Sequence, residues 1–105
     1  MKKIYISGKI TGLDYDVAKQ NFEAATIELI NDSDKNIAVN PMQYDGLVKK
    51  IYKTNIPTWQ HYMRFDIKLI TDCDAIYMLS NYQDSKGALA EREVAIRLGL
   101  EVIYQ

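Results

Sequence analysis

The chain has 105 residues, 13 basic and 14 acidic, with 48% hydrophobic and 26% charged residues and a net charge of −1. This suffices for one small domain with a modest core. It excludes the basic stripe of a general nucleic-acid binder and the run of about 20 apolar residues that a membrane-spanning helix needs. One cysteine, Cys73, and one histidine, His61, exclude an internal disulfide and a cysteine-rich or multi-histidine metal site. The Met-Lys-Lys start runs directly into a strand-like segment without a signal-peptide pattern, so a reducing cytoplasm is the expected location.

Ile4, Tyr5 and Ile6 form a short β-rich run closed by Ser7 and Gly8. A loop with two glycines follows over residues 8–14, then a helix over about residues 15–31. Ala18, Phe22, Ala25 and Leu29 recur on one of its faces. Residues 36–40 read as a second strand, stopped by Pro41. Residues 41–57 hold both prolines, a glycine and Lys49, Lys50 and Lys53. Their pattern supports no more than one helical turn over 47–52. The lysines read as a solvated loop face, with a substrate lid as the alternative. Thr58, after Pro57, is a plausible N-cap for a helix reaching Asp72. Residues 74–79 make a third strand, and Ser85 caps a helix that Gly99 ends. Residues 101–104 make a fourth strand. The order β-α-β-α-β-α-β implies a single α/β domain over residues 1–105. The expected fold is a flavodoxin-like three-layer α/β/α sandwich, with a four-stranded parallel sheet ordered 2-1-3-4. Ligands in such sheets bind beyond the carboxyl ends of the strands, at the reversal of strand order. That point lies between strands one and three, where residues 8–13 and 80–86 meet.

Two carboxylates stand out. On a wheel of about 100° per residue, Gly87, Ala88, Val94, Ala95 and Leu98 fall within roughly 60° of Glu91, whereas Glu93 points away, beside Lys86 and Arg97. A carboxylate on an apolar face costs several kcal/mol unless it is paired, hydrogen-bonded or bordering a cavity. Asp66 repeats the anomaly, amid Trp59, Tyr62, Met63, Ile70 and Cys73. An ion pair to Arg64 or Arg92 would explain either acid structurally; an open pocket would not. In the first loop, Gly8 and Gly12 allow close backbone approach, and Ser7, Lys9 and Thr11 offer polar contacts. Neither GxxxxGK[ST] nor GxGxxG is present. The start of the Ser85-Lys86-Gly87 helix favours an anion. His61 reads as a surface or capping residue and Cys73 as packing.

Tyr5-Ile6-Ser7-Gly8, Asp66 with Asp74, and Ser85-x-Gly87-x-x-x-Glu91 together resemble the nucleoside 2-deoxyribosyltransferase superfamily. That superfamily includes the deoxynucleoside 5′-monophosphate N-glycosidases. The nearest likeness is to its short, uncharacterised bacterial and phage relatives, and it spans nearly the whole chain. The resemblance implies that Glu91 is the nucleophile at the anomeric carbon and that Asp66 contacts substrate. It implies that Tyr5 and Gly8 line the sugar site. Ser85 matches a phosphate-binding serine of the monophosphate glycosidases, with Lys9 a departure from their pattern that would still suit phosphate. Thr11 and Gly87 complete the expected substrate-binding set. The implied activity is N-glycosidic cleavage or deoxyribosyl transfer, with no metal or organic cofactor. The partner is a small-molecule nucleoside or nucleotide, not a nucleic-acid polymer or a membrane. A non-catalytic nucleotide-binding or sensing module is the alternative. Family members form oligomers, and Leu89 and Ile96, away from the Glu91 stripe, suit a homodimer or higher assembly. The chain stops after its last strand where larger relatives continue, so pocket closure is expected from residues 41–57, from a partner subunit, or from nothing.

Overall fold

The computed structural model describes all residues, Met1–Gln105. Four parallel strands form one sheet in the order β2-β1-β3-β4. They are β1 (Lys2–Ser7), β2 (Asn36–Val39), β3 (Ala75–Met78) and β4 (Glu101–Tyr104). This is the expected α/β topology. Alternation along the strands divides the core. Ile4, Ile6, Ala75, Tyr77 and Leu79 pack on one face against Phe22, Ala25 and Leu29 of helix α1 (Tyr15–Asp32). Tyr5, Ile76 and Met78 pack on the other face with Ile70 of α3 (Trp59–Thr71) and with Ala88 and Ala95 of α4 (Lys86–Arg97). The sheet is therefore covered on both faces, as a parallel sheet requires.

Helix starts follow their capping residues. Asp14 accepts from the Asp16 and Val17 amides at the start of α1. Thr58 and His61 form a reciprocal pair: the Thr58 hydroxyl accepts from the His61 amide, and His61 Nδ1 accepts from the Thr58 amide. Ser85 Oγ accepts from the Ala88 amide. Gly99, at φ 77°, supplies the left-handed residue that ends α4.

Two features depart from the sequence reading. Residues 41–57 hold a 3₁₀ turn (Pro41–Tyr44) and a helix α2 (Asp45–Ile51), more than one helical turn. Asn40 caps the turn through the Met42 amide, and Pro41 stands at its first position, where no amide is required. Leu98, placed by the wheel on the apolar stripe of α4, is 51% exposed, because α4 ends at Arg97 and the chain turns away through Gly99.

Candidate active site

Strand β1 is central, paired with both β2 and β3. Tyr5 and Ser7 lie two residues apart and so share a face of the sheet, the face covered by α4. Glu91, in the second turn of α4, is 5% exposed. Its Oε1 accepts from Ser7 Oγ at 2.7 Å and its Oε2 from Tyr5 Oη at 3.0 Å. No cation reaches it. Arg92 Nε instead donates to Tyr104 Oη at 2.8 Å, and the Arg64 guanidinium sits over the Tyr52 ring at 5.5 Å. The ion pairs of the protein involve neither Glu91 nor Asp66.

Asp66 approaches Glu91 from α3. Burial raises the pKa of both carboxyls, and the charge of Glu91 raises Asp66 further. The Ser7 and Tyr5 hydroxyls donate to Glu91 and favour its ionised form. Two acids in contact cannot both be ionised cheaply, so Glu91 carries the charge and Asp66 the proton. Burial first, and Glu91 second, hold the Tyr5 phenol well above its ordinary value, which keeps it a donor.

Both acids open onto a cavity of about 780 Å³, within the range of small-molecule sites. It lies at the carboxyl ends of β1 and β3, as the switch point requires. Of the predicted residues, Tyr5, Gly8, Thr11, Asp66, Ser85, Gly87 and Glu91 all line it. Lys9 does not. Its amide donates to Asn81 Oδ1, which ties the first loop to the one after β3 and leaves the side chain outside the lining. Gly12 also lies outside; its φ of 88° makes it a turn residue. Gly8 is needed for space, since a Cβ there would fall 2.5 Å from Leu79 Cδ1. A Cβ on Gly87 would meet Met63 Sδ at 3.4 Å and Trp59 Nε1 at 3.5 Å.

Several lining residues escape the sequence reading. Pro41, Met42, Asp45 and Pro57 come from the stretch without a clear period, so residues 41–57 do wall the cavity. Trp59 and Tyr62 line it two turns and one turn before Asp66 on α3; their spacing from Asp66 is the available signal. The wheel puts Lys86 on the water face of α4. It sits in the first turn, where its ammonium lies 4.5 Å from the Trp59 ring centre, at the cavity. Ser7, in sequence only a polar residue of the first loop, is fully buried and bonded to Glu91; a polar residue closing a buried strand is the signal. His61 is the capping residue expected, and Cys73 is a half-buried packing residue whose thiol burial pushes up to about 11.

Residues 2–104 match a domain family of unknown function, DUF4406. The chain belongs to that family. The match covers the whole αβ framework just described, and with it every residue of the cavity. None of the curated proteins matches the chain. No helix of this DUF4406 domain is long and apolar enough to cross a membrane.

Proposed function

We propose that the protein cleaves or transfers the N-glycosidic bond of a 2′-deoxynucleoside or its 5′-monophosphate, through a covalent glutamyl intermediate. One observation carries this reading: Glu91 is a buried carboxylate with no cation, held by two hydroxyls, beside a second acid on an open cavity. A carboxylate with a purely structural role at such depth would be bonded to a cation or a backbone amide and would have no cavity beside it. The resemblance of Ser85-x-Gly87-x-x-x-Glu91 to the deoxyribosyltransferase pattern supplies the substrate class.

In this reading, Glu91 attacks the anomeric carbon and forms an ester to the sugar. The C–N bond breaks, and its electron pair leaves with the base, which takes the Asp66 proton. Water or a second base then attacks the anomeric carbon of the ester and gives a proton to Asp66, so the configuration is retained over the two steps. Ser7 and Tyr5 hold Glu91 in place, and its charge stabilises the oxocarbenium-like transition state. Ser85 Oγ already accepts from the Ala88 amide, which leaves its O–H free to donate. With Lys86 nearby and Lys9 outside the lining, Ser85 and Lys86 are the groups that would meet a 5′-phosphate. Leu89 and Ile96, each 43% exposed on α4, would form the contact of a homodimer; a monomeric mass by light scattering at micromolar concentration would rule it out.

The test is incubation with the four deoxynucleosides and their monophosphates, with and without acceptor bases, followed by chromatography. Released base that disappears in Glu91→Ala supports the reading. Release that survives the substitution removes Glu91 from the mechanism. Binding without release by the parent protein favours a nucleotide-binding module instead.

A further inference from the structure

The wall of the cavity formed by residues 41–57 carries a second carboxylate system, separate from Glu91 and outside every motif of the resemblance. Asp45 begins α2 and lines the cavity. Its Oδ1 accepts from Tyr62 Oη of α3, and its Oδ2 accepts from Lys49 Nζ at 2.9 Å. Tyr62, followed by Lys49, holds the carboxyl below the usual carboxylate range, so it stays ionised and acts only as an acceptor. Each oxygen has one partner, and a carboxylate has about four acceptor positions, so each oxygen retains one. Tyr62 fixes the orientation from one side and Lys49 from the other. What remains is a clamped pair of acceptors on a cavity wall.

The position of this pair follows from α3. Tyr62 lies four residues before Asp66 on the same helix face, a rise of about 6 Å. Asp66 is beside the nucleophile, and Asp45 is bonded to the tip of Tyr62. The two carboxylate systems are therefore separated by about a helical turn plus the tyrosine's reach, the scale of a purine. Trp59, one turn before Met63 on α3, lines the cavity beyond Tyr62, with the Lys86 ammonium over its ring.

We infer, resting on the function just proposed, that Asp45 selects the base, accepting two adjacent N–H donors from the edge of a 2-amino-6-oxopurine. A guanine edge presents a ring N–H beside an exocyclic NH₂, which matches two acceptors on one carboxylate. Hypoxanthine keeps the ring N–H and lacks the amino group. Adenine presents an acceptor where the ring N–H would be. Tyr62 is a positioning residue: it holds the carboxylate and does not itself read the edge. As a stability element the Asp45–Lys49 pair would contribute little, being an i,i+4 pair near the surface.

The test uses the full chain and the fluorescence of Trp59, its only tryptophan. 2′-Deoxyguanosine and 2′-deoxyinosine are titrated into the parent protein, Asp45→Asn and Tyr62→Phe, with circular dichroism checking the fold of each. Deoxyguanosine should bind the parent about tenfold more tightly than deoxyinosine, as expected for a hydrogen bond to a charged acceptor. In Asp45→Asn the ratio should fall to within about threefold, largely through weaker deoxyguanosine binding. Tyr62→Phe should reduce the ratio partway; a purely structural role would weaken both ligands equally and leave the ratio unchanged. Equal affinities in the parent, or a ratio that persists in Asp45→Asn, overturns the inference. Base release from both nucleosides with equal KM would sink the selection by Asp45 and leave the glycosidic chemistry standing. An Asp45-dependent ratio without any base release would do the reverse.

Discussion

Replacing Glu91 by glutamine should make the folded protein more stable at pH 8 and flatten its pH dependence. The parent holds two acids whose pKa values are raised on folding, Glu91 to about 7 and Asp66 to about 8, chiefly by burial. Between the ordinary carboxylate range and those values the folded state binds more protons than the unfolded chain. Stability is therefore fully present below the unfolded pKa of about 4 and is lost as the pH climbs through the folded values. Glu91 alone is moved from 4.5 to about 7, which corresponds to a loss on the order of 3 kcal/mol across the window. The glutamine of the Glu91→Gln variant does not ionise. Its carbonyl can still accept from Ser7 or Tyr5, and its NH₂ can donate to Asp66, which removes the like charge that helps raise Asp66. Both contributions shrink together. Urea unfolding followed by circular dichroism from pH 5 to pH 9 measures this directly. The parent should lose on the order of 6 kcal/mol over the range, from both acids together, and the variant, which keeps only the buried Asp66, about half of that or less. A parent curve that is flat from pH 5 to pH 9, or a variant with the parent's slope, would refute the placement of an uncompensated acid pair in this cavity.

Tyr5→Phe removes a donor that favours ionised Glu91, so the acid limb of the pH–rate profile for base release should move to higher pH, with the unfolding midpoint changed only modestly. Gly8→Ala forces a Cβ to within 2.8 Å of Leu79 Cβ and closer still to its Cδ1, and should lower stability by about 2–3 kcal/mol in urea. Thr58→Ala removes half of the reciprocal cap of α3; a loss of about 1 kcal/mol is expected, and no change in stability would show that the helix start is held by other contacts.

The sheet order can be read from the chain because three features agree: apolar runs short enough for strands, helical patterns between them, and glycines or capping residues at the joints. Glu91 and Asp66 are visible for the same reason, since a helical period exposes any charge on its apolar face. Residues 41–57 are opaque because their structure depends on contacts the period cannot show. The 3₁₀ turn rests on an Asn40 cap, and α2 has only Val48 buried, too few apolar positions to make a repeat. The wheel misplaces Lys86 because it assigns a direction to the Cβ, whereas a long side chain in a first turn can lie back over Trp59. Lys9 differs from expectation for another reason. Its neighbour in sequence is a lining glycine, but the Asn81 contact to its amide turns the loop.

Tyr5 and Ser7 sit on a strand bonded on both sides, whereas Asp45 and Pro57 sit on a segment beyond the sheet that contributes no strand to it. The acid is thus anchored where a substitution disturbs two neighbouring strands at once, and Asp45 and Pro57 where a substitution leaves the ladder of the sheet untouched. Under the function proposed above, such a division would let the composition of residues 41–57 change, and the accepted ligand with it, while Glu91 and its two hydroxyls stay in place. In that reading, exchanging residues 41–57 is the natural route to a change of ligand without rebuilding the domain.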